Sequence, residues 1–309
     1  MAAAARPSSA PRAVVGLGLC VLDQLWVVDD DRLRARRTRW TEHARGPGGM
    51  VATALAQAAR LGCPAHLLSV VGDDAAGREV LAALRGHGVS TRRVVRDGRH
   101  PTSVASVLVD RRTRDRRFVV ADRRAVERDA PELDLAPIRR GRVLLLDGHF
   151  GRSALAAARR ARAEGVPVVG DFCDARPIHR RLLPFVDHPI VPEEFVAAWG
   201  AGGPRETLRD LAERFGGSPV VTLGARGALA WLDGRAHRIP ARRVRVRDTT
   251  GAGDVFHGAF AAGLAHGWDP LSSLHLAARA AARACTGLGG TARLLERLPR
   301  RGRVRRPGA

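Results

Sequence analysis

The chain has 309 residues, 45% of them hydrophobic, enough to bury a sizeable core in one large domain. No apolar run is long enough to cross a membrane, and the start MAAAARPSSAPRA lacks a charged stretch followed by an apolar core, so neither a span nor a signal peptide is expected and a cytoplasmic location is. The formal net charge of +21 suggests a nucleic-acid partner, but the chain contains no Lys, Asn or Tyr and all 52 basic residues are Arg. That is the mark of a GC-rich genome, and drift in composition is the expected source of the charge. The lack of Lys excludes a P-loop lysine, a protein-kinase strand lysine and a Schiff base. Cys20, Cys63, Cys173 and Cys285 show no metal or disulfide spacing and are expected as buried thiols.

In chain order, AVVGLGLC (13–20) suits a buried strand and continues as LDQLWVV. Gly16 and Gly18 do not make a dinucleotide loop, because no third glycine and no helix follow. Asp23 interrupts the second apolar run, either as a turn carboxylate or as a ligand contact. The Arg-rich stretch 32–45 alternates weakly and predicts an exposed strand pair with what precedes it. Gly46, Pro47, Gly48 and Gly49 then break the chain before an alanine-rich helix ended by Gly62. By itself a glycine pair before a helix is a tight turn more often than a binding loop. Residues 66–71 predict a strand and 75–86 a helix. The runs 102–109 and 117–120, split by DRRTRD, predict a β-hairpin, and with 22–45 a small sheet outside the main repeat.

Strand and helix then alternate: a strand at 142–147, a helix to about 163, and strands at 166–171 and 219–224. In a doubly wound parallel sheet the carboxyl ends of strands carry the ligand, so Asp147, Asp171 and Gly224 are expected at one crevice. No repeat of solenoid period is visible. RDTTGAGDVFHG (247–258) opens a helix whose Ala252, Phe256, Phe260 and Leu264 recur every four residues. Gly251 and Gly253 thus sit at a helix N-terminus, where free N–H groups and the dipole seat an anion. Asp254 repels an anion there, unless it takes a proton from a group attacking that anion. The segments 1–12 and 298–309 are expected as disordered tails.

These residues resemble the ribokinase or PfkB family of carbohydrate kinases. DTTGAGDVFHGAF (248–260) is similar to its C-terminal signature, GPGG (46–49) with the following helix to its N-terminal signature, and VTLGARGA (221–228) to its nucleotide-side loop. The likeness runs over 13–297, and GDVFHG (253–258), VDH (186–188) and AARLG (58–62) resemble the bacterial branch that includes sulfofructose kinase. The resemblance implies an α/β fold, a ribokinase-like three-layer α/β/α sandwich with a mostly parallel central sheet and a small β-sheet lid from about 22–45 and 101–121. It implies ATP-dependent transfer of the γ-phosphoryl group to a hydroxymethyl group of a ketose, pentose or related small carbohydrate. The alternatives are a nucleoside kinase of the same fold and a non-catalytic nucleic-acid-binding or regulatory protein.

By the same resemblance Asp254 is the base, with Gly251, Ala252 and Gly253 cradling the transferred group. Asp23, Gly48, Gly49, Thr53 and His149 fall on the sugar side, and Thr222, Gly224, Gly227, Thr250 and His257 on the nucleotide side. The family's Asn-x-x-Glu motif for Mg2+ appears only as VPEE (191–194), so Glu193 and Glu194 are the candidates. Asp248 and 286–290 resemble loops that hold a monovalent cation such as K+, although Asp248 could equally cap a helix. Sulfofructose kinases grip the sulfonate with an Arg and an Asn, and His149 and Ala121 stand at those places, which argues against a sulfonated substrate. A lid sheet with open edges invites a homodimer.

Overall fold

The computed structural model describes residues 12–29, 38–113, 115–139 and 142–298. The expected tails 1–12 and 298–309, apart from Arg12 and Leu298, and part of the expected lid at 30–37 lie outside the described residues. The chain starts with β1 (Ala13–Leu17), β2 (Val21–Val28), β3 (Trp40–Gly48), α1 (Met50–Arg60), β4 (Ala65–Leu68), β5 (Val70–Gly72) and α2 (Ala75–Gly86). It continues through β6 (Val89–Ser90), β7 (Val95–Asp97), β8 (Val104–Asp110), β9 (Arg116–Val120), α3 (Arg124–Asp129), β10 (Arg142–Leu146) and α4 (Gly151–Glu164). There follow β11 (Val168–Asp171), α5 (Pro177–Leu182), β12 (His188–Pro192), α6 (Glu193–Trp199) and α7 (Pro204–Phe215). The last elements are β13 (Val220–Thr222), β14 (Ala228–Leu232), β15 (Arg235–Ile239), α8 (Ala252–Ala265) and α9 (Pro270–Ala284).

A nine-stranded sheet runs in the order β15-β14-β13-β12-β11-β10-β1-β4-β6. All its pairs are parallel except β13 with β14 and β14 with β15. Because successive strand residues point to opposite faces, each buried strand feeds two cores. Val143 and Leu145 of β10 pack on the side of α1, α8 and α9, whereas Leu144 and Leu146 pack on the side of α4 to α7. The sheet is thus the middle of three layers, as the sequence predicts. Gly16 lets α1 lie on β1, since a β-carbon there would come within 2.7 Å of Leu55 Cδ1.

The lid is a separate four-stranded sheet in the order β3-β2-β8-β9, with β8 and β9 forming the expected hairpin. Leu25, Val107 and Val109 make a small core on one lid face, against Leu288.

Three expectations need correction. The run 66–71 is not one strand: Ser69 turns aside to donate its Oγ to the Gly18 carbonyl at 2.7 Å, and β5 pairs with β7 in a third, two-stranded sheet. Asp23 lies within β2 and is no turn carboxylate. Of the four free cysteines only Cys20 and Cys63 are buried, whereas Cys173, two residues past the end of β11, is exposed and Cys285 is half-buried.

Candidate active site

The parallel register aligns Leu17 with Leu146, Leu146 with Gly170, Asp171 with Ile190 and Pro192 with Thr222, so these strands end along one edge. Asp147 follows β10 at that edge and is fully buried. Its Oδ2 accepts from the Leu19 N–H at 2.8 Å and its Oδ1 from the His149 N–H at 3.0 Å. Gly18 is glycine because a β-carbon would overlap the Asp147 carboxylate. Gly16 within β1 and Gly18 just past it therefore make room for a helix and a carboxylate.

The loop before α8 faces the same edge. Gly251 has φ 72°, a conformation that favours glycine, and a β-carbon there would approach Gly290 Cα to 2.5 Å. Gly253 is different: it is exposed, and a β-carbon would meet no atom within 4 Å. Ala252, between them, is the first residue of α8. The Ala252 N–H turns back to the Thr249 carbonyl at 3.2 Å, whereas those of Gly253 and Asp254 have no partner four residues back in the helix and are available to an anion. Asp248 fixes this loop, accepting from Thr250 N and Oγ1 at 2.9 and 2.8 Å and from Gly289 N at 2.8 Å. Thr53, buried on α1, brings its methyl against both Gly251 and Gly290.

On the lid side the Asp23 carboxylate lies on Gly48, and Gly49 takes φ 89° to start α1. Burial first, and the charge of Asp248 second, push Asp23 up to about 7. Burial, followed by the charge of Asp171, also raises Asp254 well above the carboxylate range, with Asp23 and Asp147 adding to it and His257 opposing. Asp171 is raised by burial and by Asp147. Four carboxylates thus feel one another's charge at the end of the sheet.

Of the nucleotide-side candidates, Thr222 ends β13 and its Oγ1 donates to the Val191 carbonyl at 3.4 Å, while Gly224 and Gly227 lie in the turn that follows. Glu193 pairs with Arg226 on that turn, and Glu194 beside it is exposed. Among the described residues no three His, Cys, Asp or Glu side chains converge into a metal cage. His149 and His257 both point inward. His149 Nδ1 lies 2.7 Å from Glu127 Oε1, and His257 has its ring nitrogens against the protein's own carbonyls. The ring of His257 therefore offers neither nitrogen to a nucleotide. Glu127 and the Asp171–His257 contact were not legible in the sequence; a charged residue on the short helix after the lid was the only local sign of the first.

A parallel sheet ending at a glycine-led helix N-terminus, with a separate sheet as lid, defines a ribokinase-like fold. The chain belongs to the pfkB family of carbohydrate kinases, ATP-dependent phosphotransferases, whose profile matches residues 13–297. It is 33% identical over 264 residues to the bifunctional protein HldE of Azorhizobium caulinodans, covering 79% of this chain and only 53% of that protein. The chain thus spans about half the length of that relative. It is 27% identical to the ribokinase of Bacillus subtilis, covering 90% of this chain and 94% of that one. In three dimensions it is similar to Arabidopsis thaliana ribokinase complexed with ribose and ATP, with a TM-score of 0.74, 24% identity and coverage of 91% and 94%.

Proposed function

We propose that this chain transfers the γ-phosphoryl group of ATP to a hydroxymethyl group of a ketose, pentose or related small carbohydrate. The observation that carries the reading is Asp254, a carboxylate of raised proton affinity in the first turn of α8, beside N–H groups suited to an anion. A base works best when poised near the working pH, and the raised affinity moves a carboxylate towards that range. Asp254 takes the proton of the attacking hydroxyl, while the N–H groups of Gly251, Gly253 and Asp254 stabilise charge on the equatorial oxygens of the phosphoryl group. Asp23, over Gly48 and Gly49, accepts sugar hydroxyls. Thr53 walls the loop from below, and Thr222, Gly224, Gly227 and Thr250 border the nucleotide.

Magnesium needs only one or two carboxylates besides phosphate oxygens, and in this reading it arrives with ATP. Glu194, with Glu193 next to it, is the donor we assign. When bound, the ion neutralises charge on the phosphates. K+ belongs, in this reading, at the loops that Asp248 joins. Four clustered carboxylates disfavour a negative charge on the acceptor, and His149 is tied to Glu127, which together support a neutral, hydroxyl-rich sugar over a sulfonated one. A homodimer through the lid is part of the proposal.

A phosphorylation screen over ketohexoses, pentoses, their acid and sulfonated relatives and nucleosides tests it, with Asp254→Asn as control. Wild type should consume ATP with a neutral sugar, and the variant should lose about 10²–10⁴ in kcat. Equal idleness of both proteins, with salt-sensitive nucleic-acid binding, refutes the kinase reading.

A further inference from the structure

His257 lies one helical turn beyond Gly253 on α8, and both it and Asp171 are buried. Its Nδ1 is 2.7 Å from the Gly253 carbonyl oxygen and 3.4 Å from Asp171 Oδ2. Its Nε2 is 3.3 Å from the carbonyl oxygen of Ile190 on β12. Asp171 Oδ2 is itself buried without a hydrogen-bond partner. Acceptor oxygens therefore surround both ring nitrogens, yet a neutral imidazole carries one N–H. With that hydrogen on Nδ1, the Nε2 lone pair faces the Ile190 oxygen; with it on Nε2, a lone pair faces Gly253 across the shorter gap. Only the doubly protonated ring donates to both.

Burial drives His257 down and Asp171 up, which opposes that charge state. As neighbours at 3.4 Å the two ions attract, which offsets part of the cost of burying both charges. The other ionisable groups that act on the pair are Asp254, Asp147 and His149. Asp254 favours the cation on His257 and His149 the anion on Asp171, while Asp147 opposes that anion.

We propose that His257 is an imidazolium paired with Asp171, a positioning pair that ties α8 to β11 and β12 and holds the Gly253 carbonyl, so that the N–H groups of Gly251, Gly253 and Asp254 and the Asp254 carboxylate keep their aim. This rests on the reading of that loop as the phosphoryl cradle. The pair touches no reacting atom; it acts through Gly253. A displacement of about 1 Å at the reacting groups can lower a rate about a hundredfold.

The test uses the full chain. ¹⁵N NMR of histidine-labelled protein, with the His257 signals identified by their loss in His257→Asn, should show both ring nitrogens protonated at neutral pH, and Asp171→Asn should shift them to the neutral pattern. A neutral ring in the wild type overturns the proposal whatever the activity of the variants. In kinetics, His257→Leu should lower kcat about a hundredfold with the KM for ATP nearly unchanged. His257→Asn, which keeps an amide N–H near the Nδ1 position, should recover most of that loss, and His257→Gln should not. Wild-type turnover in His257→Leu, or equal recovery by Asn and Gln, overturns the pair. Asp254→Asn separates the two ideas: activity surviving there sinks the base reading, whereas an idle Asp254→Asn beside an unaffected His257→Leu sinks only the pair.

Discussion

The Asp23 carboxylate lies on Gly48 so closely that a β-carbon at that position would overlap it. Gly48 therefore keeps a space open for the side chain of a neighbouring strand, since β2 pairs with β3 there. Gly48→Ala must push the carboxylate away while leaving the loop before α8 alone. The expected outcome is a rise in the KM for sugar of about tenfold to a hundredfold, the worth of a hydrogen bond to a charged group, with the KM for ATP unchanged. Initial rates with each substrate varied in turn distinguish this from general damage.

Gly251 and Gly253 should separate by their mutants. Gly251→Ala meets both an unfavourable φ of 72° and the Gly290 Cα, so it should lower the melting temperature and the activity together. Gly253→Ala has open space around it and replaces a poor helix former with a good one, worth up to about 1 kcal/mol. It should fold at least as well as wild type and still lose kcat/KM for ATP, because the methyl stands where the phosphates approach. Melting curves and kinetics of the pair decide it: a Gly253→Ala protein that is both stable and fully active removes the phosphates from that loop.

The raised carboxylates give a pH dependence of known sign. Asp23 is moved from its ordinary 3.8 to about 7 by burial and by Asp248, so between those values the folded chain holds a proton that the unfolded chain has lost. Its contribution to stability is present below the lower value and lost as pH rises through the upper one. Asp23→Asn should therefore be more stable to unfolding than wild type at pH 8, by at most about 4 kcal/mol before solvent screening, with the difference shrinking towards pH 5 in denaturant titrations. Asp254 is shifted the same way, so the acid limb of kcat should lie well above the usual carboxylate range. An acid limb near pH 4 contradicts that role.

Local chemistry made the cradle legible. DTTGAGD announces itself because glycine conformation and helix start are properties of adjacent residues, and Asp147 and Asp171 followed from strands that end in a polar residue. Contacts between distant segments left no such mark. Nothing near Gly18 says that it makes room for Asp147, and His257 reads as a nucleotide contact until Ile190 and Asp171 come to stand beside it. β12 carries two prolines in five residues and hides as a strand; β15, charged and on the sheet edge, hides for want of apolar periodicity. The break at Ser69 depends on the Gly18 carbonyl, which lies on β1's side of the chain.

The lid carries the remaining prediction. Strand β9 is an edge with every residue exposed, and Phe118, Val119 and Val120 are 53%, 63% and 53% accessible; Trp40, at the start of the opposite edge strand β3, is 57% accessible. Phe118 shares its lid face with Leu25 and Val107, while Val119 points to the other, so apolar surface is open on both sides of one edge. Unpaired backbone and bare apolar side chains on a strand favour pairing with another chain, and a second copy supplies a matching edge. Sedimentation of the full chain at tens of micromolar should show a dimer, and Phe118→Asp with Val119→Asp should return it to a monomer by placing charge on both faces. Because the inner face of the lid packs near Leu288 and the loop that meets Gly251, the monomeric variant should also bind sugar more weakly than the dimer. A wild type that sediments as a monomer leaves that apolar edge without the partner assigned to it.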